Sequence, residues 1–154
     1  RPDNLIGDMV PMNDIIAHDI VVSGEEHFLQ THSTNPLLKT ETLDHAISYY
    51  FDHLNRYDSV FSVTRLQTRL YWNDGKPVNH DPAVLLRTQD LPPVFEENSN
   101  FYIFPKYSFQ EAGNKRIGSH PFMFEMDKLE AIDIDEPVDF ILAETIHAQS
   151  TDAK

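Results

Sequence analysis

The stretch HFLQTHSTNPLLKTETLDHAISYYFDHLNRYDSVFSVTR, His27 to Arg65, decides the fold. HFLQTH is short and apolar, as a buried strand would be. STNPLLKTET follows as a loop, because Asn35 precedes Pro36 and is pushed out of the α region. ETLDHAISYYFDHLNR then reads as a helix, capped by Thr40 or Thr42, with Leu43, Ala46, Ile47, Tyr50 and Leu54 on one face. DSVFSVTR is a strand again. Strand, helix, strand in this rhythm predicts βαβ units and a largely parallel α/β sheet.

Upstream, Met12, Ile15, Ile16 and Ile20 fall at helical spacing just after Pro11, so an amphipathic helix is expected over 12–20. Downstream the rhythm breaks. Residues 66–100 carry NDGKP, NHDP and DLPP, turn chemistry that favours hairpins and an irregular excursion over crossover helices. Regularity returns with the strand NFYIFP, a short helix around 107–112, the strands PFMFEM and EAIDI, and a last helix over 136–147, after which AQSTDAK reads as a frayed tail. No internal repeat or low-complexity linker interrupts this order, and 154 residues fit one domain with a proper core.

Forty per cent hydrophobic content and 10 Phe describe a globular chain. With 12 basic against 25 acidic residues, net −13, most of its surface would repel a phosphate backbone, so nucleic acid is excluded as a partner. The sequence holds neither a long apolar run nor a charged-then-apolar leader. The expectation is a cytoplasmic protein without a membrane partner. There are no cysteines, which removes disulfide and thiol chemistry.

The chemistry concentrates in LEAIDIDEPVDFILAET, Leu129 to Thr145, where Asp133 and Asp135 sit one residue apart between an expected strand and an expected helix. Alternation would send both to one side of the strand, at the carboxyl end where α/β sheets gather ligands. Two close carboxylates repel unless a cation or proton separates them, and magnesium, which binds one or two carboxylates plus substrate phosphates, suits the pair. The alternative stays open: Asp135 caps the final helix and Asp133 faces water.

Four stretches in order resemble the sugar-acid cytidylyltransferases, which activate sialic-type nonulosonates or 3-deoxy-manno-octulosonate as CMP-sugars. RPDNLIGDMVPMNDIIAH resembles the family's R-P-x-x-L-x-x-D segment and the helix after it. HFLQTHSTNPLLKTETLDHAI resembles the strand ending in L-Q-P-T-S-P-L-R. LRTQDLPPVFEENSNFYIF resembles the R-x-Q-x-L-P…N-G-x-x-Y-I region, and IDIDEPVDFILAE matches the D-I-D…D…A-E close. The acylneuraminate branch fits better than the octulosonate one.

The resemblance implies a Rossmann-like three-layer nucleotidyltransferase sheet and attack of a sugar acid's anomeric hydroxyl on the α-phosphorus of CTP, with Mg²⁺ steadying the charge. It makes Asp133 and Asp135 the metal-binding pair and places Arg1 near the nucleotide. Thr34 and Asn35 fall in the substrate loop, while Arg87 and Gln89 fall in the region that contacts sugar or triphosphate. It also implies a homodimer through the β-hairpin excursion at about 66–100.

Departures accompany the matches. His32 stands where the family has glutamine, Ser33 where it has proline, Leu38 where it has arginine, and EENSN has no glycine where N-G is common. A neutral imidazole offers one donor and one acceptor where an amide offers more, so His32 is expected to alter sugar preference. The family's opening loop, roughly A-R-x-G-S-K, has no counterpart here. The 5 glycines form no G-x-G, and the basic stretch GNKRIGS lies far downstream in another context. The expectation is therefore a chain that begins mid-domain, lacks the first strands and the phosphate loop, and turns over little alone.

The 8 histidines show no metal-binding pairing, and only His32 lies near the expected substrate loop. Trp72, Tyr71, Phe95 and Tyr102 suit the core better than stacking on a ligand. Asp139 and Glu144 are expected as supporting or solvated acids. Two rivals stand beside the cytidylyltransferase: a noncatalytic dimerising remnant and another D-x-D nucleotide-sugar enzyme.

Overall fold

A computed structural model describes residues 2–7 and 9–152, without the side chains of 151 and 152. Four strands, β1 (His27–Thr31), β2 (Ser59–Leu66), β3 (Val94–Pro105) and β4 (Pro121–Glu125), form one sheet in the order β1-β3-β2-β4. β2 and β4 are parallel, whereas β3 runs antiparallel to both β1 and β2. The expected largely parallel sheet is thus corrected to a mixed one. β1 and β2 do run the same way, as a strand-helix-strand unit requires, but β3 is inserted between them.

Alternation along β3 builds three layers. Phe101 and Ile103 pack with Val60 and Met126 against Ala46 and Tyr50 of α2 (Thr40–Asp52). Tyr102 and Phe104 point the other way, against Ile16 and Ile20 of α1 (Met12–Ser23) and Phe109 of α3 (Lys106–Glu111). Burying each such aromatic side chain contributes about 2 kcal/mol, so β3, lined on both faces, is the spine of the core.

The helix ends have local causes. Pro11 opens α1 and Gly24, in the left-handed region at φ 72°, closes it three residues beyond the expected end. Neither Thr40 nor Thr42 caps α2. Its N-cap is Lys39, and the carboxylate of Glu130 takes the Lys39 N–H (3.3 Å) and the Thr42 hydroxyl (2.6 Å). α4 (Pro137–Asp152) runs through most of the expected frayed tail.

Two further expectations are corrected. The irregular excursion ends before residue 94, because β3 begins there; within it, Tyr71 pairs with Pro77 and a short 3-10 helix spans Thr88–Asp90. EAIDI is a turn followed by an unpaired segment. Its backbone groups go to a loop instead of a sheet: the Ile134 N–H donates to the Thr34 carbonyl (2.9 Å) and the Asn35 amide donates to the Ile132 carbonyl (3.4 Å). Among the described residues no helix is long and apolar enough to cross a membrane.

Candidate functional site

β1, β2 and β4 run the same way, so their carboxyl ends lie at one end of the sheet, where α/β proteins gather ligands. Two segments meet there: the loop 32–36 that leaves β1, and the segment 127–136 that joins β4 to α4. The two hydrogen bonds from Asn35 and Ile134 lace them together, so Thr34 and Asn35 lie beside the backbone that carries Asp133 and Asp135.

The laced segments hold unmet acceptors. Of five enclosed side-chain atoms with no hydrogen-bond partner among the described residues, two are here: Oδ1 of Asp133 and Oδ1 of Asn35. A buried oxygen without a donor costs about 1–3 kcal/mol. Such an oxygen calls for a donor or a cation supplied by water, an ion or a ligand. Asp135 is exposed, and its side chain is not the helix cap. Asp139 takes that role, its Oδ2 accepting the N–H groups of Asp135 (3.2 Å) and Glu136 (2.8 Å) in half of a capping box. The cap alternative for Asp135 therefore falls, and Asp139, expected as a supporting or solvated acid, has a defined structural task.

Three residues upstream, Glu130 is the opposite case. It is 6% exposed and saturated, with Lys39 Nζ at 3.0 Å added to the Lys39 N–H and the Thr42 hydroxyl. Burial pushes its carboxyl up, but the hydrogen bonds from Thr42 and Lys39 outweigh this and hold it below the ordinary range. The same contact raises Lys39.

The other expected residues are placed separately. His32 is half-buried within 3.5 Å of Arg116 Nη1 and 3.4 Å of Gln30 Nε2. Both neighbours can only donate, so His32 Nε2 accepts and the ring carries its proton on Nδ1. Arg87 is exposed and held by Asp90 (2.7 Å and 3.2 Å). Gln89 lines a cavity of about 470 Å³ with Arg65, Gln67, Asp127 and Lys128, over the ends of β2 and β4. Among the described residues no hydrogen bond or ion pair joins Arg87 or Gln89 to Thr34, Asn35 or Asp133. Arg1 lies outside the described residues.

Reading the sequence alone missed Arg116 and the β3 bulge. Ser62 alone faces the stretch 98–101, since Phe61 pairs with Tyr102 but Val63 pairs with Glu97. Ser99 in that bulge has φ 58°, the left-handed region glycine favours. The missing N-G glycine is thus a real backbone demand, met here by a serine whose hydroxyl lies 3.1 Å from the Tyr102 hydroxyl. Tyr102, 1% exposed, also donates to the Glu97 carboxylate. Tyr71 and Trp72, expected in the core, are exposed. Among the described residues no group of three or more His, Asp or Glu side chains is gathered for a metal. An ion held here would need ligands from outside the chain, as magnesium takes from water and phosphate.

Comparison with known proteins gives the class. Post-translational flagellin modification protein B of Campylobacter coli is 23% identical over 141 residues, which cover 84% of this chain and 59% of that relative. The chain therefore spans less than two thirds of the relative's length. The cytidylyltransferase family matches residues 12–150, from the start of α1 almost to the end of α4 and across both laced segments. This chain belongs to the cytidylyltransferase family.

Proposed function

We propose that the chain serves the synthesis of a CMP-sugar: the anomeric hydroxyl of a nonulosonic, sialic-type acid attacks the α-phosphorus of CTP, and pyrophosphate leaves. The observation that carries this is the enclosed, donorless Oδ1 of Asp133 on a segment laced to the Thr34–Asn35 loop. Asp133 and Asp135 would hold Mg²⁺, with phosphate and water completing its shell. Bound there, the ion would offset the charge gathering on the phosphates.

The chain's own residues would orient the reactants. Asn35 has its amide nitrogen committed to the Ile132 carbonyl, so its Oδ1 is left to accept from a sugar hydroxyl. Thr34 and the His32 Nδ1–H offer further polar contacts at the same loop. Arg87 would have to leave Asp90 to reach a sugar or a triphosphate, and Arg1 would lie against the nucleotide. The flagellin-modification relative extends the proposal to a sugar destined for protein.

The proposal includes a homodimer through the excursion. Leu85 is 90% exposed and Trp72 62% exposed there, apolar surface of the kind that subunit contacts cover.

The test is ligand-observed NMR on the chain with Mg²⁺, CTP and a panel of nonulosonic acids, with phosphorus NMR to follow CMP-sugar. Saturation transfer to CTP and to at least one sugar acid is expected. Transfer to neither would overturn the proposal.

A further inference from the structure

Arg116 is a cation with neutral company. Its guanidinium carbon lies 3.8 Å from the centre of the Tyr102 ring, and its Nη1 donates to Gln30 Oε1 (3.0 Å) and approaches His32 Nε2. Gln30 stands directly across from Tyr102 in the sheet, so the two β-strand residues form the floor on which the guanidinium rests. Every group holding it is uncharged. The ion pairs among the described residues leave Arg116 without a carboxylate within 4.0 Å.

Only one side of the fork is used. Nε and Nη2 meet no acceptor among the described residues, and that edge is the one that grips a carboxylate with two parallel hydrogen bonds. The position over the Tyr102 ring and the bond to Gln30 hold the guanidinium in place in advance, which lowers the ordering cost of binding. In a chain of net charge −13, an anionic ligand needs such a local cation.

We infer that Arg116, held over the Tyr102 ring by Gln30 and His32, reads the carboxylate of the sugar acid and so selects acid sugars over neutral ones. This rests on the proposed function. A phosphate of CTP could offer similar oxygens, but the surroundings favour the sugar. Gln30 and His32, the two residues that hold Arg116, also line a cavity of about 280 Å³ together with Met12, Ile15 and Asp19, which Arg116 borders only through them. Mixed apolar and hydroxyl-matching groups suit a sugar, while Asp19, 3.0 Å from His18 Nδ1, disfavours the several charges of a polyphosphate more than the single charge of a sugar acid.

The test compares N-acetylneuraminate with its methyl ester, and CTP in parallel, by titration NMR on the parent chain, Arg116→Gln and Gln30→Glu. The parent should bind the acid about tenfold or more tightly than the ester, the value of a charge-assisted pair. Arg116→Gln should lose that preference while ester and CTP affinities stay unchanged. Gln30→Glu supplies an internal carboxylate at the Gln30–Arg116 contact, so it should also lose the preference while melting no lower than the parent. This second variant decides the matter if Arg116→Gln fails to fold. Equal binding of acid and ester by the parent, or a preference that survives both variants, would overturn the inference and leave the proposed function standing. Weakened CTP with unchanged sugar binding would assign Arg116 to phosphate and also overturn it. A parent that binds neither sugar nor CTP would overturn the proposed function itself.

Discussion

Glu130 and Asp133 are three residues apart on one segment and both acidic, yet Glu130 is buried and saturated with donors, whereas Asp133 is half-buried with one enclosed oxygen that has none. Glu130 ties the β4–α4 connection to the N-terminus of α2, where the helix dipole favours a negative charge. Its bonds belong to the fold. The enclosed Oδ1 of Asp133 receives no hydrogen bond from the described residues, so its partner must come from water, an ion or a ligand. The difference teaches how to separate structural from functional acids without other sequences: follow where each oxygen's hydrogen bonds go.

The largest effect is expected at Glu130. Glu130→Ala removes the carboxylate that accepts from the Lys39 N–H, the Thr42 hydroxyl and the exposed Lys39 ammonium, so it should destabilise the chain by about 2 kcal/mol in urea denaturation. A change under about 0.5 kcal/mol would break the comparison at its structural end.

Acid should act through the same residue. The Glu130 carboxyl is held below its ordinary value of 4.5, so the folded chain binds that proton less readily than the unfolded one. Its contribution is present above about pH 4.5 and is lost as the pH falls through the lower folded value. Thermal melts from neutral pH down to 3 should show Glu130→Gln with a shallower acid decline than the parent. Parallel curves would contradict the assignment.

An intermediate effect is expected at Asp139, whose half capping box opens α4. Asp139→Ala should cost about 1 kcal/mol, read as a lower melting temperature. The smallest stability effect is expected at Asp133. Asp133→Asn removes a charge the fold does not use and should leave stability within about 0.5 kcal/mol of the parent or above it. A loss as large as that at Glu130 would make Asp133 structural and erase the contrast.

Much of this was legible in the sequence. The helices and most strands follow from apolar spacing, from Pro11 and from the Asn35–Pro36 step, whereas the stop signal at Gly24 was passed over and α1 runs three residues past its expected end. The sheet order was not, because β3's insertion between β1 and β2 is a pairing between distant segments that local rhythm cannot report. EAIDI misled because its alternation mimics a strand, whereas Glu130 is drawn to α2 and Ile134 to the Thr34 carbonyl. Asp133, Asp135 and the Thr34–Asn35 loop were marked in advance, and what joins them is two backbone-mediated hydrogen bonds that no spacing rule encodes. Arg116 was set aside with GNKRIGS as a misplaced phosphate loop, since its value depends on Tyr102 and Gln30, which lie 14 and 86 positions away. The glycine missing from EENSN was a usable signal of the left-handed residue at Ser99.

The most direct measurement of the central claim is a calorimetric titration of Mg²⁺ into the chain with CTP present, parent against Asp133→Asn. The account predicts that the variant binds the ion more than about tenfold less tightly, or about 1.4 kcal/mol, while melting at the parent's temperature. Equal Mg²⁺ affinity in the two proteins would contradict it.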